Sequence, residues 1–154
     1  MNATDVAAID EYPKRFVFSF GVILCVAAAA KLWSALGNAR ILGQLDPILG
    51  IQFRHLMLIV GLLEVSVGCA CFLSRKMRLS TFFVAWLSTL FLGYRLGIWW
   101  LDWHSPCPCL GNLTDALHLS PEISNDLAKI LLAYLLIGSY SLMVFWRCGD
   151  GKSS

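Results

Sequence analysis

Charge is what this chain has least of: Asp, Glu, Lys and Arg make up 14% of its 154 residues, whereas 58% are hydrophobic. A soluble domain carries about a quarter charged residues, so a water-solvated globule is excluded, and a mean hydropathy of +0.68 points to lipid as the solvent. Missing too are a glycine-rich phosphate loop, a serine-histidine-acid context and a zinc-hydrolase helix, which leaves a nucleotide-driven or hydrolytic enzyme nothing obvious to use. No dense basic face interleaved with aromatics exists, so nucleic-acid binding has no support. The net charge of +2 says little about partners. No internal repeat, low-complexity tract or linker divides the chain, which reads as a single membrane domain over 1–154.

What is present is four apolar stretches, each near the twenty residues that a spanning helix needs. They predict an all-α fold, a polytopic four-helix bundle with helices at about 16–36, 55–74, 79–100 and 121–147 and a long outer loop between helices 3 and 4. Ser120-Pro121-Glu122 has the form of a helix start, with N-cap, proline at the first position and an acid in the first turn. The polar residues before Pro13 are expected to fray or lie along the surface. Arg75, Lys76 and Arg78 crowd the second loop and Lys14-Arg15 precedes the first span, so those ends are expected inside. Arg40 and Arg54 in the first loop argue weakly the other way. The third loop agrees with the orientation, with Asp102, Asp115, Glu122 and Asp126 before its first lysine. Both termini are therefore expected in the cytoplasm. Lys14-Arg15, an apolar core and Ala28-Ala29-Ala30 follow the order of a signal peptide, but Asp5, Asp10 and Glu11 and the apolar run through Trp33 favour a retained helix.

Small residues suit tight helix packing. Gly93-Tyr94-Arg95-Leu96-Gly97 offers a Gly-x-x-x-Gly spacing, with Ala27 to Ala30, Gly61, Gly68 and Gly138 on the other helices. Intramolecular packing is the preferred reading of that spacing, and a homodimer face is the alternative. Trp99, Trp100 and Trp103 are placed as an interfacial belt. The first loop, with Asp46-Pro47 and Gly50, contains turn signals and no recognisable site.

Lys31, Glu64 and Arg95 interrupt the first three spans, and ionisable groups there are costly unless paired or facing a polar cavity. They are expected to meet, with Glu64 about 15 Å below the outer end of its helix. One reading is a bundle-locking salt bridge, with Lys31 or Arg95 free to snorkel outward. The other is an intramembrane polar site that binds a quinone head group or relays protons.

Pro106-Cys107-Pro108-Cys109-Leu110-Gly111 is the most informative segment. Thiols at i and i+2 can close a small, strained disulfide, and strained disulfides are the exchangeable ones. The two prolines disfavour helix and hold the pair on a bent or extended segment. The outward orientation puts Cys107 and Cys109 where disulfides persist, and Cys148 in reducing cytoplasm. A redox-active pair is the reading adopted. An inert disulfide, or a metal site with His104 and His118, stays open, although the spacing matches no metal motif. His55 is read as an interfacial residue. Cys69 and Cys71 project about 200° apart on a helix, so their pairing is not expected; with Cys25 they read as apolar fillers.

Lys31-Leu32 late in the first helix, Leu62-Leu63-Glu64 with Gly68 in the second, and Cys107-x-Cys109-Leu110-Gly111 after the third resemble the methylamine utilisation protein MauE group and related DoxX-like membrane proteins. The likeness runs from about Phe16 to Trp146. It departs at the thiols, where that family commonly has glycine between the cysteines and an aromatic after them, against Pro108 and Leu110 here. The resemblance implies a redox-associated protein of the bacterial inner membrane that assists maturation of an exported client. In the original family that client is the disulfide-rich small subunit of methylamine dehydrogenase. The resemblance also implies a thioredoxin-like periplasmic partner. A non-catalytic assembly factor and a small transporter or metal-handling protein are the rival readings.

Overall fold

The computed structural model describes residues 3–37, 40–74, 76–102 and 121–150. Four helices carry them: α1 (Ala3–Ala35), α2 (Phe53–Leu73), α3 (Met77–Trp100) and α4 (Pro121–Asp150), with a short 3-10 turn at Arg40–Gly43. The described residues contain no β-strand, only an isolated antiparallel bridge between Leu45 and Gln52. The expected all-α four-helix bundle is thus the observed fold, and each helix is long and apolar enough to cross a bilayer. α1 starts well before the expected boundary, with Pro13 inside it. Proline forfeits one backbone hydrogen bond, but Ala7, Ala8 and Glu11 are good helix formers and carry the helix across it. α4 is described from Pro121, and Ser120, the expected cap, lies outside the described residues.

Each helix turns one stripe inward. The buried positions include Val17, Phe20, Leu24, Ala28 and Ala35 on α1 and Phe53, Met57, Gly61, Glu64, Val67 and Cys71 on α2. The steps of three and four are those of one helix face. The outward faces are apolar as well: Val26, Leu62, Phe82 and Ile137 are all more than half exposed. Such a surface would associate in water and is at home against lipid.

α1 packs most extensively on α2, and α3 on α4. Glycine makes the first seam possible. A methyl group at Gly61 would fall 2.9 Å from Leu32 Cγ, and one at Gly68 would fall 2.7 Å from Cys25 Sγ and 3.2 Å from the Gly21 carbonyl oxygen. Gly138 likewise admits the Phe20 ring at 2.7 Å. The Gly-x-x-x-Gly of α3 behaves differently from the expectation. Among the described residues nothing lies within 4 Å of a methyl group at Gly93 and Gly97 receives Ile48 of the first loop, so the motif joins no two described helices.

Several hydroxyls satisfy themselves along the spans, whereas the buried Thr81 Oγ1 has no hydrogen-bond partner among the described residues. Ser88 donates to the Val84 carbonyl at 2.7 Å, Thr89 to Ala85 at 2.7 Å and Ser139 to Leu135 at 2.6 Å, which avoids an unpaired polar group in an apolar medium. Tyr134 reaches Ser19 of α1 at 2.8 Å and Tyr140 reaches Thr89 of α3 at 3.0 Å, tying α4 to both neighbours. The main apolar cluster joins Val17, Phe20, Leu24, Val67, Val84 and Leu135. A smaller one, Ala35, Leu42 and Met57, lies under the first loop.

Candidate functional site

Lys31 and Glu64 lie on the buried stripes of α1 and α2, between the two apolar clusters. Side chains on a helix lean toward its N-terminus, and α1 and α2 run in opposite directions. Lys31 therefore reaches inward from the loop end while Glu64 reaches outward to meet it. Lys31 Nζ donates to Glu64 Oε1 at 2.7 Å and to Oε2 at 2.9 Å. Glu64 is 2% exposed and the Lys31 side chain 15%, so solvent screens the pair little. The ring of Phe91 on α3 lies 5.8 Å from Nζ, within cation–π reach.

Three residues of α3 at i, i+3 and i+4 address three different elements. Phe91 faces the ion pair, Tyr94 faces the first loop, and Arg95 faces α4. Tyr94 Oη donates to Asp46 Oδ2. Asp46 is 1% exposed, and its Oδ1 accepts the amides of Ile48 at 2.9 Å and Leu49 at 2.7 Å. Its own amide donates to the Ile51 carbonyl at 2.8 Å, and its carbonyl accepts Gly50 N–H at 2.9 Å. Gly50 has φ +66°, a conformation glycine adopts without strain. The Asp46–Gln52 turn is thereby folded around one carboxylate and docked onto α3.

Arg95 Nη2 donates to Asn125 Oδ1 on α4. Its Nη1 is buried and has no hydrogen-bond partner among the described residues. The three membrane charges expected to meet do so only in part, and the reason is geometric. Arg95 lies one turn beyond Phe91, about 6 Å along α3, and Lys31 already supplies a donor to both oxygens of Glu64. A guanidinium so placed turns to the other side, where it donates to Asn125.

These contacts share one end of the bundle. α1 ends there and α2 begins, Ile48 packs against Gly97, and Arg95 near the end of α3 meets Asn125 near the start of α4. Cys107, Cys109, His104 and His118, which carry the sequence-based redox and metal readings, lie outside the described residues. So do Trp103 and Arg75. Trp99 and Trp100 are exposed at 76% and 83%, as interfacial anchors are, and His55 is exposed.

The other cysteines fall as the helical spacing requires. Cys71 is buried and Cys69 exposed, and both are free thiols. Across the α1–α2 seam Cys25 Sγ packs closely against Gly68, a contact the sequence did not point to. Cys148 is free and exposed. No group of three His, Cys, Asp or Glu among the described residues could hold a metal ion.

Sequence reasoning missed Asp46, Tyr94, Phe91 and Asn125. Asp46-Pro47-Ile48-Leu49-Gly50 does carry an Asx-turn pattern, but burial of its carboxylate comes from a tyrosine on another helix. Comparison of the chain with protein-family models, with curated proteins and with solved structures returns no match.

Proposed function

We propose that this is an integral membrane protein that assists disulfide formation or maturation of an exported protein. In this reading Cys107 and Cys109 are the exchanging thiols, and Lys31, Glu64 and Arg95 form the intramembrane polar site that serves their reoxidation. One observation carries it: the Lys31–Glu64 pair and the buried Nη1 of Arg95, which has no hydrogen-bond partner among the described residues, occur at the end of the bundle where α3 stops and α4 starts. The segment bearing the two thiols joins those helix ends. The resemblance to MauE and DoxX-like proteins points the same way, with the bacterial inner membrane as location and a thioredoxin-like periplasmic protein as partner. Both termini are then cytoplasmic and the thiol pair external, following the Lys and Arg of the second loop. Methylamine dehydrogenase maturation is the pathway that the resemblance suggests.

The chemistry balances as follows. A client thiolate attacks one sulfur of the Cys107–Cys109 disulfide to give a mixed disulfide, and the second client thiolate resolves it. The client leaves with a disulfide, and Cys107 and Cys109 leave as thiols. Two electrons and two protons then pass from the dithiol to a membrane quinone, which becomes quinol, and the disulfide is restored. Arg95 Nη1 is a donor suited to a quinone carbonyl oxygen, and the Lys31–Glu64 pair can exchange protons with it.

The test compares Cys107→Ser, Cys109→Ser and the double variant for trapped adducts and client maturation. One single variant should accumulate a mixed disulfide, because the resolving thiol is gone, and the double variant should fail to mature its client. Full maturation by the double variant, with no adduct from either single variant, would reduce the pair to a loop brace and favour the assembly-factor reading. Stoichiometric metal in the purified protein would favour the metal-handling one.

A further inference from the structure

Between Gly43 and Phe53 the first loop has one ionisable residue, Asp46, and its carboxylate is buried. The surface the loop offers instead is apolar: Leu45 is 61% exposed, Leu49 54% and Ile48 39%. A loop in water ordinarily shows the reverse, with charge outside and leucine inside. Arg54, the first cation after the turn, folds back, its Nη2 donating to the Gly37 carbonyl at 3.1 Å. The backbone is self-contained as well. Every amide N–H from Asp46 to Gly50 is satisfied inside the turn, those of Ile48 and Leu49 by Asp46 Oδ1 and those of Asp46 and Gly50 by the Ile51 and Asp46 carbonyls. Phe53 N–H closes the loop on the Gln44 carbonyl at 3.0 Å. Such internal pairing of donors is what a backbone needs where water is scarce.

The depth of the turn is fixed by α3. Ile48 lies against Gly97, and Asp46 accepts from Tyr94, whereas α3 runs on to Trp100. At a rise of about 1.5 Å per residue, Gly97 and Tyr94 lie roughly 5 and 9 Å back from the helix end, and a helical tyrosine leans further toward the N-terminus. The exposed Trp99 and Trp100 mark the membrane surface at this end. The turn therefore sits beneath that surface.

We infer that the first loop is an interfacial element, its Leu45, Ile48 and Leu49 laid against lipid acyl chains at the head-group boundary of the leaflet at this end of the bundle. Lipid is the occupant because the patch continues the lipid-facing surface of the spans: Leu96 and Trp100, on either side of the Gly97 that Ile48 covers, are both exposed. Tyr94 and the two amides hold Asp46 at that depth with its charge hydrogen-bonded, which a carboxylate there requires. The inference is independent of the thiol chemistry proposed above.

The experiment uses the full chain in phosphatidylcholine vesicles that contain a phospholipid with a photoactivatable diazirine in its acyl chains, and adducts are mapped by mass spectrometry. Irradiation should place lipid adducts on residues 45–49, as on Ile137 of the exposed α4 face. A second measurement uses a spin label at Leu49→Cys in a chain whose six native cysteines are serine. Oxygen should reach that label and a water-soluble nickel chelate should not, as for a label at Ile137→Cys, whereas a label at Lys76→Cys in the second loop should show the opposite order. Should the cysteine-free chain lose helicity, adduct mapping on the unaltered chain decides. Absence of lipid adducts within 45–49, nickel access to the label at position 49, or a shielding of that label that vanishes as the protein is diluted in lipid, the mark of a second copy, would overturn the inference.

Discussion

Replacing Glu64 by Gln leaves the volume of the side chain almost unchanged and removes the only carboxylate that Lys31 contacts among the described residues. The ammonium would keep its place over Phe91, worth about 1 kcal/mol, and its 15% exposure gives it some access to a polar environment. Breaking a buried pair by removing one partner costs about 3–5 kcal/mol. With those two mitigations the expected loss is at the lower end, about 3 kcal/mol, more than a hundredfold in the unfolding equilibrium. Lys31→Met with Glu64 retained should cost as much or more, since Glu64 is the more deeply buried partner. Changing both together, Lys31→Met with Glu64→Leu, should cost no more than about 1 kcal/mol, because two apolar chains replace two charges that had to be desolvated. Reversible unfolding in bicelles, followed by helicity, reads all three variants and gives the coupling energy directly. A Glu64→Gln variant within about 0.5 kcal/mol of the parent, or a double variant worse than either single one, would refute the reasoning. A double variant that is stable but inactive would separate a chemical role of the pair from a structural one.

Other outcomes are specific enough to check. Tyr94→Phe deletes a donor to a buried carboxylate and should loosen the first loop by about 1–3 kcal/mol, seen as faster amide exchange at residues 46–52 with the helices unaffected. Gly68→Ala should destabilise by about 1–3 kcal/mol through its clash with Cys25 and the Gly21 carbonyl, whereas Gly93→Ala, with nothing within 4 Å of the added methyl among the described residues, should stay within about 0.5 kcal/mol. A membrane-impermeant thiol reagent applied to intact cells after mild reduction should label Cys107 or Cys109 and spare Cys148; the reverse pattern would invert the orientation.

The parts of this fold that were legible in the sequence are those set by one segment at a time. A run of about twenty apolar residues has to be a helix if it meets lipid, because no other conformation satisfies its own backbone, and four such runs made the bundle. Lys31 and Glu64 were legible for the related reason that an unpaired charge in such a run is too costly to leave alone. Arg95 met the same condition, yet its partner is Asn125, an ordinary polar residue at a helix start, and nothing local marks it. Asp46 stayed hidden because a turn aspartate and a buried aspartate look alike until Tyr94, far along the chain, covers one of them. Glycine spacing failed in the same way. Gly61 and Gly68 sit under a neighbouring helix and Gly93 under no described one, a difference made by rotation about the helix axis and not by composition. The Cys25–Gly68 contact likewise depends on how α1 and α2 are rotated against each other.

The most direct measurement is the thiol state of Cys107 and Cys109 in living cells, acid-quenched and mass-tagged, in a chain whose other four cysteines are serine. After a pulse of reductant the pair should return to the disulfide within minutes in quinone-replete cells, should stay reduced when quinone synthesis is blocked, and should recover more slowly in Arg95→Leu. A pair that stays reduced throughout in quinone-replete cells, or a disulfide that neither the reductant nor a client ever opens, would contradict the proposed exchange.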